Sequence, residues 1–223
     1  MASPLDLQEQ EQVDQLKAFW KQYGNLITWT LILALGGFAA WNGWNLWQRD
    51  QAGKASAMFD ELERAALAGD AARSALVFAD IKERFPRTAY AQQAALLAAK
   101  VQADKGQTDA ALTALAWASD NGDDELRTIA RLRAAGLLMD KKQFDAALVQ
   151  LDAAAQGKNA KQFEALLADR RGDVLLAQGK KDDARTAFEA AYKAMDEKLE
   201  YRRLIEAKLT ALGAAPAASG VTP

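Results

Sequence analysis

The chain has 223 residues, of which 50% are hydrophobic and 26% charged, so it is apolar enough to fold around a core, with one core the safer expectation. It holds no cysteine and no histidine, which excludes thiolate nucleophiles, histidine triads, imidazole proton shuttles, Cys/His metal ligation, disulfides and a lipid-bearing cysteine. The net charge of -2 comes from 28 basic and 30 acidic residues with no basic stripe among them, and that argues against nucleic acid as a partner.

The first 21 residues form an acidic segment, with Asp6, Glu9, Glu11 and Asp14 set against Lys17 and Lys21. Residues 22–48 then run 27 positions without a formal charge, QYGNLITWTLILALGGFAAWNGWNLWQ. A bilayer core about 30 Å thick needs roughly 20 helical residues, so this segment is long enough to cross. Trp20, Tyr23 and Trp29 stand near one end and Trp41, Trp44 and Trp47 near the other, as amphipathic rings do at headgroup level. A buried core helix would have to be apolar on every face. A cleaved signal peptide would start with a basic region and end in small residues, whereas this segment follows acidic residues and ends in Trp and Asn. A retained single-pass anchor is the reading. Its direction stays open, because Lys17 and Lys21 before the span are balanced by Arg49 and Lys54 after it. Within the span, Gly36, Ala39, Ala40 and Gly43 make a small-residue stripe on one helical face, a candidate packing face for another membrane helix; Gly and Ala are also simply common in such helices.

From 50 to 212 the pattern is helical: Ala- and Leu-rich runs separated by Gly, Asp and Lys clusters at Gly69-Asp70, Gly106-Gln107, Lys141-Lys142-Gln143, Gly157-Lys158 and Gly179-Lys180. A segment recurs within it. TDAALTALAWA (108–118) returns as FDAALVQLDAA (144–154) and as DDARTAFEAAY (182–192), with GDAARSALVFADI (69–81) a looser first copy. Ala111, Ala147 and Ala184 are 36 and 37 residues apart, and each is followed by a large residue four positions on and an alanine three later. That spacing lays a small-large-small stripe on one helix face.

The period and stripe resemble the tetratricopeptide repeat, a helix-turn-helix unit of about 34 residues. The copy with Gly172, Leu175, Gly179, Ala184, Phe188 and Ala191 is the closest; the first helices mostly lack the family's Trp and Tyr, and the period is slightly long. The fold expected is all-α: a transmembrane helix, then an α-solenoid of four hairpins near 50–86, 88–119, 124–155 and 161–195, the first closed by Pro86. A capping helix over 200–212 follows, with Tyr201, Arg202, Arg203, Glu206 and Lys208 on its polar outer face, and 213–223 reads as a disordered tail.

No phosphate-binding loop is present, and the acidic run Asp120 to Glu125 lacks calcium-loop spacing and reads as a turn between repeats. No general acid/base pair stands out, so a binding protein without cofactor, metal or catalytic residues is expected. A repeat stack offers a concave face lined by the first helix of each hairpin. The register sends Phe59, Leu96, Lys100, Leu132, Met139, Asp169, Asp173 and Leu176 toward it, though such positions also supply inter-helix core. Leu, Met and Phe among charges suit contact with unfolded or varied segments.

The stretch QEQEQVDQLKAFWKQYGN (8–25), with Val13, Asp14, Leu16, Lys17, Phe19 and Trp20, stands directly before the span, and Gly43 to Gln48 closes the span. Together with the Ala-rich repeats, this layout resembles the ancillary SecYEG translocon subunit (YfgM) family. The resemblance implies a bacterial inner-membrane protein with a cytoplasmic N-terminus and a periplasmic repeat domain. It implies association with the SecYEG channel, with the membrane-anchored periplasmic chaperone PpiD and with unfolded secretory proteins leaving the channel, and a tie to a stress-response regulator. The alternative is a scaffold of the same architecture with its repeats in the cytoplasm, recruiting a folded partner.

Overall fold

A computed structural model describes residues 7–215, all of whose regular elements are helices: α1 Leu7–Leu67, α2 Ala71–Arg84, α3 Ala89–Asp104, α4 Thr108–Asn121, α5 Asp124–Asp140, α6 Phe144–Ala155, α7 Ala160–Ala177, α8 Lys181–Ala194 and α9 Tyr201–Ala211. The chain divides into two compact units, Met1–Gln51 and Ala52–Pro223.

The first unit consists of the N-terminal part of α1. Helix α1 does not stop at Gln48: the polar stretch 49–54 contains no proline, and Gly53 is tolerated inside a helix at about 1 kcal/mol. The unit's apolar side chains, including Leu26, Trp29, Leu33, Phe38 and Trp41, are exposed, which sets aside the core-helix reading and leaves a helix long and apolar enough to span a bilayer. Three of its polar side chains bond their own backbone. The Thr28 and Thr30 hydroxyls donate to the carbonyls of Gly24 and Leu26 at 2.7 and 2.8 Å, and the Asn42 amide donates to Phe38 at 2.9 Å. Such local pairing lowers the penalty of polar groups in lipid. Of the acidic segment, residues 1–6 lie outside the described residues; from Leu7 on it is helical.

The second unit is the repeat stack. The C-terminal part of α1 with α2, then α3 with α4, α5 with α6, and α7 with α8 form the four hairpins, and α9 stands where a fifth first helix would begin. Each hairpin turns through one left-handed residue: Gly69, Gly106, Lys142 and Gly179, with φ of 65°, 73°, 58° and 80°. The following residue's N–H closes the same bond each time, Asp70 to Ala65, Gln107 to Gln102, Gln143 to Leu138 and Lys180 to Leu175, at 2.8–3.0 Å. This is the Schellman termination, in which a residue without Cβ is preferred. Lys142 is the one copy to take it with a side chain. Asp70 inside the first hairpin, and Thr88 and Asp123 between hairpins, cap α2, α3 and α5 by accepting from the backbone N–H three residues on. Asp123 thereby accounts for part of the acidic run 120–125, and Asp124 pairs with Arg127 at 3.4 Å.

The small-large-small stripe is the core. Ser74, Phe78 and Ile81, then Ala111, Leu115 and Ala118, Ala147, Leu151 and Ala154, and Ala184, Phe188 and Ala191 are all buried. The loose first copy therefore packs in the same register, with Ser74 and Ile81 replacing alanines. Facing positions are matched in size. A Cβ on Gly172 would lie 2.5 Å from the Phe188 ring, whereas the equivalent pairs are Ala135 with Leu151 and Ala99 with Leu115, each within one buried cluster. At the far end, Gly213 is left-handed (φ 74°) and Ala214 packs against the last cluster, so the start of the expected tail is part of the cap; residues 216–223 lie outside the described residues.

Gly172→Ala is expected to lower stability by about 1–3 kcal/mol, since overpacking against Phe188 outweighs the gain in helix propensity. Adding Phe188→Leu recreates the pair used in the other repeats and should recover part of that loss, as measured by denaturant unfolding of the single and double variants.

Candidate concave binding face

The first helices α3, α5 and α7 lie side by side, and between them opens a cleft of ≈ 410 Å³. Its walls include Ala99, Ala103, Leu115, Leu132 and Leu137, and its charged groups are Lys100, Asp104, Arg133, Asp140 and Arg170. Gly136 sits in it without a side chain.

The eight positions expected on this face differ in how open they are. Lys100 and Leu132 line the cleft, and Leu176 is exposed on α7. Phe59, Leu132 and Met139 are partly buried against the repeat core, Phe59 with its ring 5.8 Å from that of Tyr90. Leu96, Asp169 and Asp173 are not open groups. Leu96 is 8% exposed and belongs to the core, because alanines at 95, 98 and 99 draw its helix close to its neighbours.

Asp169 and Asp173 are held by the terminal helix. Asp169, 2% exposed, accepts from the Tyr201 hydroxyl at 2.8 Å and from Lys208 Nζ at 2.8 and 2.9 Å; Asp173 accepts from the same ammonium at 2.7 Å. Lys208 Nζ also lies 5.1 Å from the centre of the Phe188 ring. The expectation that Lys208 stands on an outward polar face is therefore corrected, while Tyr201 stays exposed and reaches Asp169 with its hydroxyl. Seven residues apart, they share one face of α9, and that face meets α7. Arg203 and Glu206 remain exposed, while Arg202 stacks over the Tyr192 ring at 4.2 Å and pairs with Glu197 at 2.9 Å. Partial burial, and then the bond to Asp169, push the Tyr201 phenol up to about 12 from its ordinary 10.0.

Sequence reasoning missed Asp104, Arg133, Gly136, Asp140 and Arg170. The signal for the arginines is the turn register: Arg133 stands nine residues before Lys142, and Arg170 nine before Gly179. In the first unit, Gly36, Ala39, Ala40 and Gly43 are exposed, and a Cβ added at Gly36 or Gly43 would meet nothing within 4 Å, so the stripe presents a smooth, open helix surface.

These features define a tetratricopeptide-like repeat protein carried on one long apolar N-terminal helix, and the family model for the tetratricopeptide repeat-like domain matches residues 17–214. Bacterial relatives named ancillary SecYEG translocon subunit align over most of the chain. The Escherichia coli K12 protein is 32% identical over 189 residues, 83% of this chain and 88% of the relative. That of Haemophilus influenzae is 32% identical over 186 residues, 83% and 89%. That of Neisseria gonorrhoeae is 29% identical over 211 residues, 92% and 98%. The chain belongs to the ancillary SecYEG translocon subunit family. No solved structure matches it.

Replacing Lys208 by Met is expected to destabilise the repeat unit by about 3 kcal/mol in denaturant unfolding, because Asp169 then stays buried without its cation. The raised phenol makes the folded chain hold a proton that the unfolded chain has released. Stability from this group is full below pH 10, falls as pH rises toward 12, and is lost above it. Tyr201→Phe should flatten the stability profile across that window relative to the native chain, as followed by thermal unfolding against pH.

Proposed function

We propose that this protein is an inner-membrane accessory subunit of the SecYEG translocon, with its N-terminus in the cytoplasm and its repeat domain in the periplasm. There the domain binds a partner chaperone, PpiD, and secretory chains as they leave the channel. A stress-response regulator is a further partner on the same reading. The observation that carries it is the order of parts: an apolar spanning helix runs directly into a repeat stack, in a chain that aligns with translocon subunits over both.

The anchor's role follows from its surface. The smooth stripe at Gly36, Ala39, Ala40 and Gly43 lets a second membrane helix approach its backbone, and tethering keeps the repeats at high effective concentration near the exit of the channel. The repeats act by binding, with no catalytic step. Phe59, Lys100, Leu132, Met139 and Leu176 are the concave-face residues through which we propose that partners are met.

Protease access to a C-terminal tag tests the orientation. Cleavage in intact spheroplasts is the expected result, followed by adducts with the channel from photocrosslinkers at Gly36 and Gly43. Protection until lysis would overturn the periplasmic reading in favour of a cytoplasmic scaffold, which the balanced basic flanks of the span also accommodate.

A further inference from the structure

The concave cleft is lined by three cations, Lys100, Arg133 and Arg170, against two carboxylates, Asp104 and Asp140. Arg133 and Arg170 occupy equivalent positions of successive repeats, and both line the cleft. A Cβ on Gly136 would lie 3.7 Å from Arg170 Nη1 and 3.8 Å from its Cζ, so the head of Arg170 rests on α5, the helix that carries Arg133 one turn earlier. Arg133 reaches from α5 toward the Leu96 carbonyl on α3, so the two guanidiniums line one cleft from neighbouring helices.

Their present partners are weak. Arg133 Nη1 donates to the Leu96 carbonyl at 3.3 Å, and Arg170 Nη1 is 4.0 Å from Asp173, which already accepts from Lys208 at 2.7 Å. Lys100 and Asp104 neutralise each other at 2.6 Å. Asp140 is left as the one lining carboxylate against two guanidiniums, while Leu115, Leu132 and Leu137 supply apolar walls that strengthen charge interactions. An incoming carboxylate relieves this repulsion and gains charge-assisted bonds from groups suited to it.

We propose that the cleft between α3, α5 and α7 seats an acidic side chain, Asp or Glu, of an extended unfolded polypeptide, with Arg133 and Arg170 as its donors and the leucines contacting the flanking residues. The proposal rests on the reading of the repeat domain as a binder of unfolded chains and names the feature it selects.

The test uses the full-length protein in detergent and two short, unstructured, C-terminally amidated fluorescent peptides, one with a glutamate between leucines and its glutamine twin, read by anisotropy. The glutamate peptide is expected to bind roughly tenfold tighter, with the difference shrinking at high salt. Arg133→Gln and Arg170→Gln should each reduce the two affinities to the same value, with helical circular dichroism unchanged. Gly136→Asp supplies a carboxylate from within and should abolish the preference, whereas Gly136→Ala, whose methyl makes only ordinary contact, should keep it. Equal binding of the twins, or a preference that survives in both arginine variants, would overturn the acidic-side-chain site and leave the proposed function standing. Binding only by peptides with a free terminal carboxylate would also overturn it. Absence of binding by either peptide would count against both readings.

Discussion

Close approach of helix backbones governs the repeat unit. Helices approach most closely where one presents little volume at the point where the other presents a large side chain, and that match recurs in the last three hairpins, whereas the first buries Leu62 and Phe78 in one cluster. Alanine accepts leucine at 135 and 151 and at 99 and 115, and glycine accepts phenylalanine at 172 and 188. Every other feature of the stack is placed by this match. The turns must reverse the chain in a single left-handed residue to bring the matched faces together, and the first helices must then lie side by side with a cleft between them.

The end of the stack meets a different demand. A solenoid that simply stopped after α8 would leave the side of α7 and the Phe188 ring uncovered. Helix α9 covers them with two apolar anchors, Ile205 and Leu209, and with one ammonium shared between Asp169 and Asp173. Burying a carboxylate to 2% exposure is tolerable only because its oxygens are occupied by Lys208 and Tyr201. The same contact ties up two acidic groups that would otherwise stand open on α7.

The anchor helix obeys the opposite rule. Its apolar side chains are exposed and those of Thr28, Thr30 and Asn42 fold back on their own backbone, an arrangement that a hydrocarbon solvent favours. An exposed apolar helix and a repeat unit with a buried core thus divide the chain into parts suited to two solvents.

What the amino-acid sequence determined by itself is everything local or periodic. The absence of charge from 22 to 48, the hairpins punctuated by glycine, and the alanine-led stripe at 111, 147 and 184 were legible because helix period, turn stereochemistry and lipid solvation act on residues near one another in the chain. Even the looser copy at Ser74, Phe78 and Ile81 followed the register. The extent of α1 was not legible, because nothing in residues 49–54 forces a helix either to stop or to continue. Nor was the availability of the concave groups. Whether Asp169 faces solvent or a lysine 39 residues away, and whether Arg170 lies on its own helix or over Gly136 of the previous repeat, depends on how far neighbouring helices are drawn together. Those are contacts between repeats, and only the tertiary structure decides them, because side chains of equal sequence register meet different neighbours at the middle and at the end of a stack.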